Sequence, residues 1–311
     1  MAEVETIVIA GSGCAGLSAA IYAARAQLHP LVLEGPQVGG ALTQSAQVDN
    51  FPGFPEGIRG SDLMKRMRQQ AERFDTRFSS TSVQQALLGE KNQKMLTLSN
   101  GQTIATQTLI IATGSQANTL HLPREKELLC GKGLSVCATC DGFFYKHETV
   151  VVIGDGEEAY KDILYLSSLC TKVYWVPLKR TQTLSDDPGV SIRQKENVEC
   201  LEQQVPIGFS TDSEGLINGL QLQKAGETYL LPCKGVFLAI GHTNSQAFKG
   251  FVEMDEQGYI SIADKAVCTN VPGVFAAGDC VDRRYRQAVV AASMGAQAAL
   301  EAKSWLREHH E

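Results

Sequence analysis

Two stretches of this 311-residue chain share one plan, and that repeat constrains the fold more than any other feature. "ETIVIAGSGCAGLSAAIYAARA" (Glu5–Ala26) and "ETVVVIGDGEEAYKDILYLSSL" (Glu148–Leu169) each read strand, glycine turn, helix. A further β-rich run follows each, "HPLVLEG" (His29–Gly35) and "KVYWVP" (Lys172–Pro177). Both are βαβ openings, the unit of the doubly wound dinucleotide-binding fold.

The repeat extends beyond the turns. "KMLTLSNGQTIATQTLIIATG" (Lys94–Gly114) carries a hairpin signal at Asn100-Gly101 and then an apolar strand ending in Ala112-Thr113-Gly114. "LINGLQLQKAGETYLLPCKGVFLAIG" (Leu216–Gly241) follows the same plan. The tail, Val271–Trp305, supplies a strand, Gly278-Asp279 and a long Ala-rich helix, with no counterpart before residue 148. The simplest arrangement returns this tail to the first domain. The expected fold class is therefore α/β, with two Rossmann-like, three-layer ββα domains. Residues 1–117 and 246–311 form the first, and the second, 118–245, is inserted in it.

Composition narrows the function. Hydrophobic content of 43%, charged content of 20% and a net charge of −6 describe a globular chain and argue against a nucleic-acid surface. Basic residues gather at Met64–Arg73 and Asp282–Arg286, where a solvated helix face is the expectation. The start "MAEVET" has no secretory pattern, and no apolar run reaches a membrane span, so the expected compartment is the cytoplasm.

In "GSGCAG", Gly11, Gly13 and Gly16 occupy the three positions needed for a tight turn, pyrophosphate approach and close helix packing. Glu34 ends the second strand, where an acid accepts hydrogen bonds from a ribose diol. Asp279 follows "AAG" and is expected at the start of a helix, either holding a polyol hydroxyl or capping the helix. The second turn, Gly154-Asp155-Gly156-Glu157-Glu158-Ala159, has the same glycine frame but puts three carboxylates where phosphates would lie. A carboxylate about 5 Å from a phosphate charge costs roughly 1 kcal/mol with water-like screening and about 3 at an effective dielectric near 20. These acids either face the loop or point outward as first-turn helix acids. Both readings describe a turn poorly suited to bind phosphate.

The nine cysteines form no secreted framework, and most sit among apolar neighbours as reduced packing residues. Cys137 and Cys140 differ: "SVCATCDGFFY" is a C-x-x-C followed by Asp141. Zinc would need a second ligand pair; no other C-x-x-C exists and the six histidines lack zinc spacing, so no metal is expected. A redox disulfide is the better reading, with one sulfur stabilised as thiolate at a helix N-terminus. Asp141 serves as the nearby acid or base, or caps the helix.

The order G-x-G-x-x-G, "NFPGFPEGI", "ATG", "CATCDG", G-x-G-x-x-A, "GVFLAIGH" and "GVFAAGDCVDRRYRQA" resembles the low-molecular-weight thioredoxin reductases, nearly end to end. The resemblance implies a homodimeric flavoprotein with FAD in the discontinuous domain and a disulfide that passes electrons to a thioredoxin-like protein. It places Gly11, Gly13, Gly16, Glu34, Gly40, Asn50, Ala112, Gly114, Asp279, Arg286, Gln287 and Ala288 on FAD. It further implies that Cys140 faces the flavin, Cys137 attacks the thioredoxin disulfide, Asp141 is the acid, and the inserted domain swings on its linkers.

The departures are concentrated. The family's G-G-Q is Gly39-Gly40-Ala41 here. Typical members read G-G-G-D-S-A at the second turn, with H-R-R and a further arginine after the next strand for the 2′-phosphate of NADPH. Here that strand runs into Pro177-Leu178-Lys179-Arg180-Thr181-Gln182, where Lys179 and Arg180 substitute only in part. The family's H-T-P-N-T becomes His242-Thr243-Asn244-Ser245. The resemblance therefore points to a donor other than NADPH, as in the ferredoxin-dependent flavin thioredoxin reductases. A ferredoxin would dock on one of the two basic stretches. Three other readings stay open: an NADPH-dependent reductase with an unusual loop, a diflavin enzyme with a second ligand in the vacated cavity, and a non-catalytic flavin redox sensor. Trp305 either packs the last helix or caps a flavin face.

Overall fold

The computed structural model describes residues 4–129, 131–179, 188–263 and 267–309. The chain divides into two compact units, Met1–Gln116 with Thr243–Glu311, and Ala117–His242. Arg180, Thr181 and Gln182 lie outside the described residues.

In the first unit, β1 (Val4–Ala10), α1 (Cys14–Arg25) and β2 (Leu31–Leu33) make the first βαβ opening. They are followed by α2 (Gly60–Glu72), β3 (Arg77–Ser79), β4 (Val83–Leu88), β5 (Lys94–Leu98) and β6 (Thr103–Ile111). The sheet runs β3-β2-β1-β6-β5-β4, and the strand Val274–Ala276 also pairs with β6. Ile7, Val8 and Ile9 are all fully buried, as a central parallel strand covered on both faces requires. β5 and β6 are antiparallel, with Thr97 opposite Thr103. The Asn100-Gly101 turn joins them: Gly101 has φ 83°, and Asn100 Oδ1 accepts from the Gln102 amide at 3.0 Å.

The Ala-rich tail forms the helix Ala288–His309, which packs on α1. Its composition follows from closeness: a Cβ on Gly295 would stand 2.0 Å from the Ala15 carbonyl oxygen. Trp305 fastens the far end of this helix. The Lys94 ammonium lies 4.5 Å from its ring centre, and the His309 ring stacks on it at 4.3 Å. Lys94 is fully buried and donates to the Gln107 carbonyl at 2.8 Å. Trp305 is thus a packing residue of the last helix.

One expectation fails here. Asp279 does not start a helix; it lies in a turn closed by bonds from the Val281 and Asp282 amides to the Gly278 carbonyl, and the helix begins only at Ala288. The Asp282 carboxylate delays it by accepting from the amides of Arg284, Tyr285 and Arg286, and Arg286 adopts φ 46°.

The second unit repeats the plan. Strand Thr149–Gly154, helix Gly156–Ser167 and strand Lys172–Val176 form its opening. A five-stranded parallel sheet runs Val198–Cys200, Lys172–Val176, Thr149–Gly154, Gly235–Ala239, Leu134–Ser135. A three-stranded antiparallel sheet, Val205–Thr211, Ile217–Lys224 and Glu227–Pro232, accompanies it. Trp175 is fully buried, and its indole donates to the Gly154 carbonyl at 2.9 Å, which locks the second strand to the glycine turn.

Candidate active site and nucleotide-binding loops

The first glycine turn is built for close approach. A Cβ on Gly11 would lie 2.2 Å from the Ala112 carbonyl oxygen, and one on Gly16 would lie 2.0 Å from the Gly11 carbonyl oxygen. Gly13 and Gly40 face each other: a Cβ on Gly40 would lie 3.0 Å from the Gly13 Cα. Bare backbone therefore lines this cradle, as contact with a pyrophosphate requires. Ser12 ties the turn to its surroundings, donating to the Glu34 carbonyl at 2.9 Å and accepting from the Gly39 amide at 3.0 Å.

Glu34 is buried at the end of β2. Its carboxylate pairs with the Arg68 guanidinium from α2 and accepts from Ser80 at 3.3 Å. Arg68 also pairs with Glu72 at 2.8 Å and stacks 4.0 Å over the Phe78 ring. Asn50 sits on the loop Asp49–Pro55, which lines a cavity of about 550 Å³, and donates to Gln287 at 3.0 Å. Ala112 is buried at the end of β6, Gly114 follows with φ 64°, and Ala288 opens the long helix. Burial, and secondarily the charge of Asp282, pushes the Asp279 carboxyl up to about 6, against the pull of Arg286. A bare-backbone cradle flanked by the buried Glu34 and the partly buried Asp279 fits a dinucleotide whose hydroxyls those acids would bind.

The second turn is different in kind. Asp155 precedes the helix Gly156–Ser167 but does not cap it; its Oδ2 accepts from the amides of Leu178 and Lys179, both at 3.1 Å. Its Oδ1 is buried without a hydrogen-bond partner among the described residues. Glu158 lies 3.4 Å from the His242 imidazole. Of the three acids only Glu157 points outward, pairing with Lys161 at 3.3 Å on the exposed helix face. The outward reading therefore holds for one residue in three. The extended backbone at Asp155 (φ −135°, ψ 162°) turns its side chain toward the loop that follows the next strand.

Cys137 and Cys140 form a disulfide with Cα atoms 5.3 Å apart. Cys137 precedes the one-turn helix Ala138–Asp141, and Asp141 ends it rather than capping its start. Ser135, at the end of a short sheet-edge strand, provides the anchor. Its hydroxyl accepts from the Cys137 amide at 3.1 Å and donates to Asp141 Oδ2 at 2.7 Å. Burial raises the Asp141 carboxyl above its ordinary value, and the Ser135 hydrogen bond works against that rise. Nearby, the Tyr145 phenol is pushed up to about 12, chiefly by burial.

The other described cysteines are free; Cys14, Cys170, Cys233 and Cys280 are buried, with thiols raised to between about 11 and about 12 by burial. The basic stretch on α2 is largely the exposed face expected, with Lys65, Arg66 and Arg73 exposed and Arg68 partly buried. Arg66 lies 5.6 Å over Phe54, Arg73 5.2 Å over Phe74, and Arg68 is neutralised by two carboxylates. In the second stretch Arg283 pairs with Asp255. Sequence reasoning missed Ser12, Arg68 and Ser135. No motif spacing links Arg68 to Glu34, 34 positions away.

Comparison with known proteins agrees with this geometry. The family described as pyridine nucleotide-disulphide oxidoreductase matches residues 5–295. The thioredoxin reductase of Streptomyces clavuligerus is 41% identical, over 98% of this chain and 95% of its own. That of Coxiella burnetii is 42% identical, over 97% and 96%. Among solved structures, thioredoxin reductase from Giardia duodenalis superposes with a TM-score of 0.90 at 34% identity, covering 97% of this chain and 98% of that one. The chain is an oxidoreductase enzyme and belongs to the pyridine nucleotide-disulphide oxidoreductase family.

Proposed function

We propose that this enzyme is a flavin-dependent thioredoxin-disulfide reductase whose electron donor is not NADPH. The disulfide half of the reading rests on the Cys137–Cys140 bridge with a partly buried, hydrogen-bonded acid in the same helical turn. The Gly11–Gly16 cradle would hold FAD, which when bound would supply the electron pair for reducing this bridge. Glu34 and Asp279 would hold its hydroxyls, with Asn50, Gln287 and the start of the last helix beside it. In the reduced protein the Cys137 thiolate attacks one sulfur of a thioredoxin-like disulfide. The released partner sulfur takes the proton carried by Asp141. Cys140 gives its proton to Asp141 and attacks Cys137, re-forming the bridge, and the second partner sulfur leaves as thiolate. Two electrons pass to the partner. Phe143 (66% exposed) and Phe144 (52%), directly after the bridge, offer apolar surface for such a partner.

The donor half rests on one observation: the Asp155 carboxylate already occupies the Leu178 and Lys179 amides. An incoming phosphate would meet a filled donor pair and a fixed negative charge. A low-potential iron–sulfur carrier such as ferredoxin fits an enzyme that keeps its flavin cradle and loses its second phosphate site. Anaerobic titration of the flavin tests this. Bleaching by reduced ferredoxin but not by near-stoichiometric NADPH is expected. Rapid bleaching by NADPH would refute the donor assignment and leave a conventional NADPH-dependent reductase.

A further inference from the structure

We infer that Ser135 is a positioning residue for the disulfide chemistry, its hydroxyl joining the Cys137 backbone to the Asp141 carboxylate. The inference rests on the disulfide-reductase reading above and names a residue which that reading does not itself require. Three features carry it. Ser135 is only 3% exposed, so its hydroxyl lies in a low-dielectric setting where one hydrogen bond matters most. It accepts from the Cys137 amide at 3.1 Å and donates to Asp141 Oδ2 at 2.7 Å, so one oxygen fixes the position of both groups. It stands on Leu134–Ser135, paired in register with the buried strand Gly235–Ala239 (Ser135 opposite Phe237), which holds the oxygen still while the cysteines change bonding.

The direction of the effect follows from the chemistry of the bond. A hydroxyl that donates to a carboxylate favours its ionised form, so the Ser135 bond offsets part of the rise that burial imposes on Asp141. In the reduced enzyme the Cys137 and Cys140 thiols titrate as well, and the limb that Asp141→Asn removes tells Asp141 apart from them. The Tyr145 phenol and the Cys233 thiol are each pushed up to about 12, chiefly by burial, so both stay neutral where Asp141 titrates. From the helix Gly156–Ser167, the Tyr165 ring packs against Gly142, the next residue along. Removing the hydroxyl leaves the partly buried Asp141 without the Ser135 donor, and its proton is then held to higher pH.

The test is single-turnover thiol–disulfide exchange by the dithionite-reduced, desalted holoenzyme across a pH series. Oxidised thioredoxin and the small aromatic disulfide dithiobis(nitrobenzoate) serve as separate acceptors. Ser135→Ala is expected to move the pH limb governed by Asp141 upward by about one pH unit. Ser135→Thr, which keeps the hydroxyl, should restore the wild-type limb, and Asp141→Asn should abolish it. A purely structural role would lower rates of Ser135→Ala equally at all pH values; that result overturns the inference. If Ser135→Ala proves too unstable to purify, the Ser135→Cys profile decides instead. Its weaker donor should also shift the limb upward, and an unshifted limb overturns the inference. Exchange with the small disulfide but not with thioredoxin would overturn the thioredoxin reading, while the small-disulfide pH profile would still decide the role of Ser135.

Discussion

Replacing Asp155 by asparagine isolates the charge in the second glycine turn, because the two side chains have nearly the same shape. Oδ2 of Asp155 accepts two backbone bonds of 3.1 Å, from Leu178 and Lys179. Bonds to an ionised acceptor contribute about 1.5–3 kcal/mol each and neutral ones about 0.5–1.5. The side chain is half-exposed, so solvent screening reduces the difference, and Asp155→Asn should lower unfolding free energy by about 1 kcal/mol. The effect on a dinucleotide is opposite in sign. A unit charge about 5 Å from a phosphate repels it by roughly 1–3 kcal/mol, depending on screening, and its removal should tighten NADPH binding about 5- to 150-fold. Anaerobic flavin bleaching against NADPH concentration reads the binding, and thermal denaturation reads the stability. A variant that loses stability but gains no NADPH affinity would refute the argument that this carboxylate closes the site.

Gly16→Ala places a methyl group 2.0 Å from the Gly11 carbonyl oxygen, so the purified variant should carry little flavin and melt several degrees lower, as absorbance and calorimetry would show. Cys137→Ser should abolish thioredoxin reduction while the protein stays yellow, since the flavin cradle is built from other segments. Burial lowers the Lys94 ammonium to about 8, below its ordinary value in the unfolded chain. Between these two values the unfolded chain binds more protons, so the native protein gains stability as pH rises through that window. Measured against Lys94→Met, which cannot titrate, wild-type stability should climb from pH 8 toward pH 10.5, and parallel curves would refute this.

Much of this protein is legible in its sequence, because the strongest constraints are local. A β-branched run, a glycine turn and a helix specify a βαβ opening wherever they occur, and Asn100-Gly101 specifies its own hairpin. The C-x-x-C pair is legible too, since two intervening residues leave the sulfurs within reach. What local text lacks is the direction of side chains and the identity of partners brought in by folding. Asp155, Glu157 and Glu158 read alike along the chain, yet one fills the amides of a neighbouring loop, one meets His242 and one faces solvent. Asp279 reads as a helix start, but the Asp282 carboxylate gathers the next amides first and postpones the helix to Ala288.

Arg68 reaches Glu34 only because α2 packs beside the end of β2, and Trp305 meets Lys94 only because the tail helix returns to the first sheet. Ser135 is six residues from Asp141, a spacing without meaning in either helix or strand; a sheet edge followed by a single helical turn brings their oxygens to 2.7 Å. Periodicity and turn chemistry are properties of neighbours in sequence, so the sequence alone determined most of the elements and the paired cysteines. Hydrogen bonds and ion pairs are short-ranged in space, so only the tertiary structure decided which acids are engaged, which oxygen anchors the disulfide turn, and which backbone amides a side chain already occupies.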